Sequence, residues 1–481
     1  MDQDLKRRSF VSTLSLFFQS GYAAFLGLIA NLILTILLTP KIFGIYITVL
    51  SIISFLNYFS DIGLAASIIQ KKELSQDDVK TTFTVQQLLI LTVITVGFFA
   101  TSFIQKFYLL PAEGVYLYWA LLFSFFISSL KTIPSVFLER KIQFQKIVFV
   151  QVIENTVFYI AVSVFALLGL SLTSFTLAVV LRAFTGLVLI YSISFWMPRV
   201  GISFQSLKKL LSFGIPFQAS SFLALFKDDL VILYLGKVLG FEGVGYIGWA
   251  KKWADAPIRI IMDNVSKVLF PLIARVQEDT KKIRVIAEKI LYYQTALLAP
   301  ILIGMIMVMQ NFVEIIPGYQ KWAPALSLFY IFAVSSLIIS FSAPFINLFN
   351  AVGKVRLSFW FMVGYTVFTW ILTPPMTSLF GYFGFPLAHL IVSVSYGLVL
   401  LKARGLFRFQ FFASIYKFIL SAIVMAFLIS VARLFIQVGP RLQFITTILF
   451  GALAYYLLVT SVFGINVRGE FQSFTKKGNH G

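Results

Sequence analysis

Apolar runs of about twenty residues or more alternate with short polar stretches along the whole chain, and a run of that length crosses a hydrocarbon core about 30 Å thick as a helix. Backbone groups in lipid can be satisfied only within such a segment or in a closed barrel, so these runs are read as α-helices. Fourteen are predicted, near 10–38, 43–69, 84–104, 115–137, 148–170, 172–196, 212–235, 244–273, 290–309, 323–349, 357–379, 383–401, 415–436 and 442–463. The expected fold class is an all-α polytopic membrane protein. Trp119 with Tyr116 and Tyr118, and Trp322 with Tyr319, fall where an outer aromatic belt is expected.

Composition agrees with the pattern. Of 481 residues, 59% are hydrophobic and 12% charged, against about half and a quarter in soluble domains. Cysteine is absent, which excludes disulfides, thiolate metal sites and thiol catalysis. The two histidines, His389 and His480, give no basis for a histidine triad or metal site, and no cofactor is expected. The polar start "MDQDLKRRS" lacks a small-residue cleavage pattern after the first apolar run, so that run is read as an uncleaved signal anchor.

Lys and Arg set the orientation. With the N-terminus inside, the inner segments hold 25 of the 39 basic residues and the outer loops hold 5 (Lys41, Lys106, Lys237, Lys321 and Arg441). Both termini are therefore expected in the cytoplasm. The bias also accounts for most of the net charge of +20 without nucleic acid, since basic inner loops sit against anionic lipid.

The chain repeats itself weakly. "LLTPKIFGIYITVL" opens the second helix and "YLGKVLGFEGVGYIGWA" the eighth, each with a glycine-containing turn that leads into a helix. Each of these helices leaves at a basic segment, "SIIQKKELSQDD" and "LIARVQEDTKK". Six helices per unit preserve orientation, which suggests a parallel repeat about the membrane normal. The expected organisation is a first lobe at 1–203, a second at 204–405, and an added helix pair with a cytoplasmic tail at 406–481.

Against this apolar background, "AKKWADAPIRIIMDNVSK" (250–267) carries Lys251, Lys252, Asp255, Arg259, Asp263 and Lys267 inside a span. One charge at the bilayer centre costs about 2.5–3.5 kcal/mol on insertion scales, and six facing lipid would cost on the order of 15–20 kcal/mol. At about 100° per residue the six occupy an arc of roughly 160°, with Ala, Ile, Val, Leu and Phe opposite. Local i,i+4 pairing contributes only about 0.2–0.5 kcal/mol per pair. The arc is thus expected to line a water-filled cavity, and mid-span Pro257 suits such a place. Lys227, Asp228, Asp229, Asp61 and Arg182 add charges in other spans of both halves. Lys131 and Glu154 lie nearer the cytoplasmic face, where snorkelling competes with burial. One shared central cavity is the economical expectation, with cations for an anionic cargo and carboxylates for ion or proton coupling.

The stretches "FGIYITVLSIISFLNYFSDIGLAASIIQKKELS" (43–75), "LERKIQFQKI" (138–147) and "KVLFPLIARVQEDTKKIR" (267–284) resemble the polysaccharide-transporter branch of the multidrug/oligosaccharidyl-lipid/polysaccharide (MOP) exporter superfamily. The likeness is to Wzx-type flippases of the colanic and teichuronic acid kind, over about residues 5–470. It implies two six-helix lobes in a V around a cationic cavity. It also implies a cargo of undecaprenyl-pyrophosphate-linked oligosaccharide, moved by alternating access, with coupling to H+ or Na+. The setting implied is a bacterial inner membrane, with a polymerase and a chain-length regulator as candidate partners in exopolysaccharide, O-antigen or capsule synthesis. Carried onto this chain, the phosphate-facing candidates are Lys227, Lys251, Lys252, Arg259, Arg182 and Lys267. The coupling candidates are Asp61, Asp228, Asp229, Asp255 and Asp263.

Three other functions compete. A peptidoglycan lipid flippase shares the chemistry with another sugar head. A drug or cation antiporter calls for an acidic cavity, whereas these spans carry Lys and Arg about as often as Asp. A polytopic glycosyltransferase or polymerase needs acid/base residues in sizeable outer loops, and here Glu113, Glu242 and Glu314 stand isolated in short ones.

Overall fold

The computed structural model describes residues 3–60, 62–274, 276–435 and 438–466, with the side chains of 3–14, 16–17, 216–217, 219–224, 263–268, 270–272 and 274 left outside the description. The described residues form helices and no strand, as the hydropathy pattern requires. Twelve helical stretches among them are long and apolar enough to cross a membrane. Ten match single expected spans, while Leu225–Met262 and Val355–Phe407 each take in parts of two. Large apolar side chains such as Phe99 and Phe195, each 80% exposed, cover the outside, which suits a surface solvated by acyl chains.

The chain divides into two compact units. The first comprises Met1–Gly248 and Met362–Gly384. It contains α1 (Gln3–Leu37), α2 (Pro40–Asn57), α3 (Leu64–Gln70), α4 (Gln76–Phe99), α5 (Thr101–Tyr108), α6 (Ala112–Ser129), α7 (Thr132–Arg140), α8 (Phe144–Leu167), α9 (Thr173–Ile193), α10 (Phe204–Lys227) and the start of α11 (Asp229–Ala274). Here α8 packs on α1 and α9, and α9 on α6, while the short α3 is held by α7, α4 and α10. Leu64, Ile68, Val79, Phe83, Ile133, Val136 and Leu210 form a core at that junction.

The second unit comprises Trp249–Phe361 and Phe385–Gly481. It contains the rest of α11, then α12 (Thr280–Ile315) and α13 (Ala325–Ala351). After α14 (Val355–Phe380), whose residues are divided between the units, come α15 (Gly384–Ser395), α16 (Gly397–Phe407), α17 (Phe411–Phe435) and α18 (Pro440–Leu457). In this unit α12 is the central helix, packed against α13, α17 and α18.

Local chemistry sets the helix ends. Thr39 caps α2, with Pro40 at its first position, where the missing N–H has no intrahelical partner to lose. Ser75 and Asp78 form a capping box at the start of α4. Asp279 accepts hydrogen bonds from the backbone N–H groups of Lys281 and Lys282 and so starts α12. α11 is interrupted, but at Gly240 (φ 68°, ψ 178°), upstream of the buried Pro257.

The glycine turns noted as a repeat meet inside the first unit. A methyl group on Gly44 would run into the backbone carbonyl of Phe241, and one on Gly245 into that of Pro40. The starts of α2 and the second part of α11 therefore touch backbone to backbone, as small residues permit between membrane helices.

Candidate functional site

In the second unit α11 carries Lys251, Lys252, Asp255 and Arg259 with described side chains. Lys251 Nζ donates to Asp255 Oδ2 at 2.6 Å, one turn away. Ser336 on α13 donates to the other oxygen, Oδ1, at 2.8 Å, so both carboxylate oxygens are engaged. The Lys251 ammonium lies 5.8 Å from the Phe332 ring centroid, and the His389 ring packs on the same phenyl at 5.4 Å. Lys252 and Arg259 are exposed, and among the described residues neither has a carboxylate within ion-pair distance.

The neighbouring face of α11 fixes the helix. Trp249 stacks on Trp322 at 5.7 Å and donates to the Tyr319 hydroxyl at 3.0 Å. Trp253, one turn on, meets Phe312 edge-on at 5.4 Å. Tyr319 and Trp322 are fully buried here and Tyr118 is 1% exposed, so the expected outer belt is corrected at these three positions. They are anchors that hold helices together; Tyr116 and Trp119 do remain exposed.

In the first unit Lys227, Asp228 and Asp229 fall where α10 passes into α11, with Lys227 Nζ 3.8 Å from Asp228 Oδ1. The turn is held by Trp370, whose indole donates to Phe226 O at 2.7 Å. Arg182 on α9 faces aromatic rings, with its guanidinium carbon 5.8 Å from the Phe158 centroid. Among the described residues it has no carboxylate partner. Asp61 lies outside the described residues, as do the side chains of Asp263 and Lys267.

Some partnerships escaped the sequence reading. Lys131 and Glu154 form a direct ion pair whose side chains are 18% and 7% exposed, so burial wins over snorkelling there. Gly186 on α9 makes the room, because a methyl group at that position would meet both the Glu154 carboxylate and the Lys131 ammonium. Arg140 of the "LERK" stretch donates to the carbonyls of Ile68, Ile69, Lys71 and Lys72 at 2.5–3.1 Å. It ties the end of α3 to α7, a role hidden when it is counted as one more basic inner residue. Ser336 and His389 gave no signal, because serine is common in spans and a lone histidine suggests no partner. Outside the spans, burial raises the Glu139 carboxyl above its ordinary value. Burial likewise lowers Lys321.

The described residues form an all-helical bundle with charged side chains inside its spans, and the fold is that of the MOP exporters. A lipid II flippase MurJ in an inward closed conformation superposes with a TM-score of 0.76 over 94% of this chain and 99% of that one, at 14% identity. An inward-facing MATE multidrug transporter of the MOP superfamily gives 0.54 over 82% and 95%, at 15% identity.

The family model for polysaccharide biosynthesis proteins matches residues 33–327, and the chain belongs to that family. Lipopolysaccharide biosynthesis protein WzxC of Escherichia coli K12 is 27% identical over 340 residues, 70% of this chain and 69% of that protein. Succinoglycan biosynthesis transport protein ExoT of Rhizobium meliloti is 23% identical over 68% of this chain and 66% of its own length. Teichuronic acid biosynthesis protein TuaB of Bacillus subtilis is 23% identical over 63% of each.

Proposed function

We propose that this protein is a flippase that moves an undecaprenyl-pyrophosphate-linked oligosaccharide repeat unit from the inner to the outer leaflet of a bacterial inner membrane, for surface polysaccharide synthesis. The observation that carries the reading is the α11 face, where Lys252 and Arg259 are exposed and, among the described residues, have no carboxylate partner beside the Lys251–Asp255 pair. Fixed cations favour a doubly anionic pyrophosphate, because charge-assisted hydrogen bonds are the strong ones. Membership of the polysaccharide biosynthesis family supplies the sugar side of the reading.

Lys227 and Arg182 in the first unit, and Lys251 and Lys267 in the second, are the further phosphate-facing candidates. Asp255, held by Lys251 and Ser336, is the leading carboxylate for coupling to H+ or Na+, with Asp61, Asp228, Asp229 and Asp263 as the others. Both termini lie in the cytoplasm, and a polymerase and chain-length regulator receive the product. The lobes span 1–203 and 204–405, with 406–481 as an added pair and tail.

The test is complementation together with binding. Arg259→Ala and Lys252→Ala are expected to abolish surface polymer at normal protein levels in the membrane, and to weaken binding of inorganic pyrophosphate to the purified protein about tenfold each. Normal polymer with both variants would refute the reading. A cation antiporter is disfavoured because the cations on this face outnumber its carboxylates.

A further inference from the structure

Resting on that reading, we infer that the first unit contains a separate chamber for the sugar part of the cargo, between the break after α2 and the break between α6 and α7. The chamber has a volume of about 440 Å³ and is walled by Asn57, Tyr58, Gln86, Ser129, Thr132 and Gln218, with no charged residue among its described lining. That volume is in the range of small-molecule clefts, about 300–1,000 Å³. The chemistry of the wall selects the class of ligand. A pyrophosphate needs cations, and the described lining has none; an acyl chain needs an apolar lining, and here only Ile90 and Phe125 are wholly apolar. Sugar hydroxyls each donate and accept, and so do side-chain amides and hydroxyls. Phe125 and Tyr58 add ring surface.

Gln86 makes the case specific. It is 4% exposed on α4, and its Nε2 reaches Thr132 Oγ1 at 3.4 Å. Its carbonyl oxygen is buried with no protein partner among the described residues. A buried acceptor left unmet is costly to the fold, so something that donates belongs beside it. The oxygen has no open surface in this conformation, so a turn of the Gln86 side chain toward the chamber is what lets a sugar hydroxyl reach it. Irregular backbone at membrane depth is tolerated where it lines a cavity. Both breaks meet that condition here: α2 stops at Asn57 and α6 at Ser129, each at the chamber wall.

The test compares two lipids on the purified full-length protein in nanodiscs. One is undecaprenyl pyrophosphate, and the other is its glycosylated form, extracted from the producing cells. Wild type is expected to bind the glycosylated lipid at least about tenfold tighter. Gln86→Leu, close in size and free of the orphaned carbonyl, is expected to erase most of that margin and leave undecaprenyl pyrophosphate binding unchanged. Thr132→Val is expected to act in the same direction and guards against misfolding of the first variant. If both variants keep the full margin, or weaken both lipids equally, the chamber is not a sugar site. If wild type binds neither lipid, the pyrophosphate reading fails and takes the chamber with it.

Discussion

Lys131 and Glu154 show at residue scale how a membrane interior disposes of charge. Breaking such a pair by removing one partner typically costs about 3–5 kcal/mol, because an uncompensated charge stays buried. Lys131→Met is expected to lose stability of that order in detergent thermal unfolding. The double variant Lys131→Met/Glu154→Leu is expected to regain most of it. A double variant no more stable than the single one would show that the pair does more than neutralise itself. The contrast with α11 is instructive. Spacing alone put Lys251, Asp255 and Arg259 on one face, since helix periodicity is a local property of sequence. The partners from other helices, Ser336 to Asp255 and Glu154 to Lys131, depend on tertiary packing, and no single stretch encodes it. The packing of His389 on Phe332 is hidden for the same reason, because a histidine considered alone names no partner.

At the scale of elements, the caps and crossings give two expectations. Asp279 starts α12, and hydrogen bonds from the Lys282 and Lys281 backbone hold its carboxyl below the usual range. Its contribution is present above the unfolded value of about 3.9 and is lost as pH falls through the lower folded value. Protection of the Lys281 and Lys282 amides, measured relative to their intrinsic exchange rates, is therefore expected to fall only in acid, and Asp279→Ala should remove that pH dependence. The second concerns Gly44 and Gly245. Overpacking a close contact typically costs about 1–3 kcal/mol, so Gly44→Ala and Gly245→Ala should each lower the thermal midpoint. An unchanged midpoint for both would mean the helices part without penalty. The two stretches were visible in sequence as a repeat, but their contact was not, since similarity between two turns says nothing of whether they touch. The Arg140 clamp on α3 escaped for the same reason: its four acceptors are backbone carbonyls, which every sequence carries.

For the whole molecule, hydropathy made the helical class legible, because lipid leaves the backbone so little choice, and it placed some helices, such as 172–196 and 323–349, within a few residues while missing ends of others, such as 43–69 against Pro40–Asn57, by more. It was less exact where apolar sequence runs on through a junction, as in Val355–Phe407. Orientation can be tested cleanly, since the chain has no cysteine. Single cysteines at Lys72, Lys141 and Lys281 are expected to react with an impermeant maleimide only after the cytoplasmic side is opened. Cysteines at Lys106, Lys237 and Lys321 should react from outside intact cells or spheroplasts. The reverse pattern would invert the whole topology and with it the direction of transport. The glycine contact between α2 and α11 also bears on how this chain can change over generations. Most tight fits drift by exchange, one side chain growing as its neighbour shrinks. Here what stands opposite each glycine is main chain, which no codon can trim. A selection for suppressors of Gly44→Ala should therefore return revertants in place of compensating substitutions, and the two positions should stay fixed independently of each other.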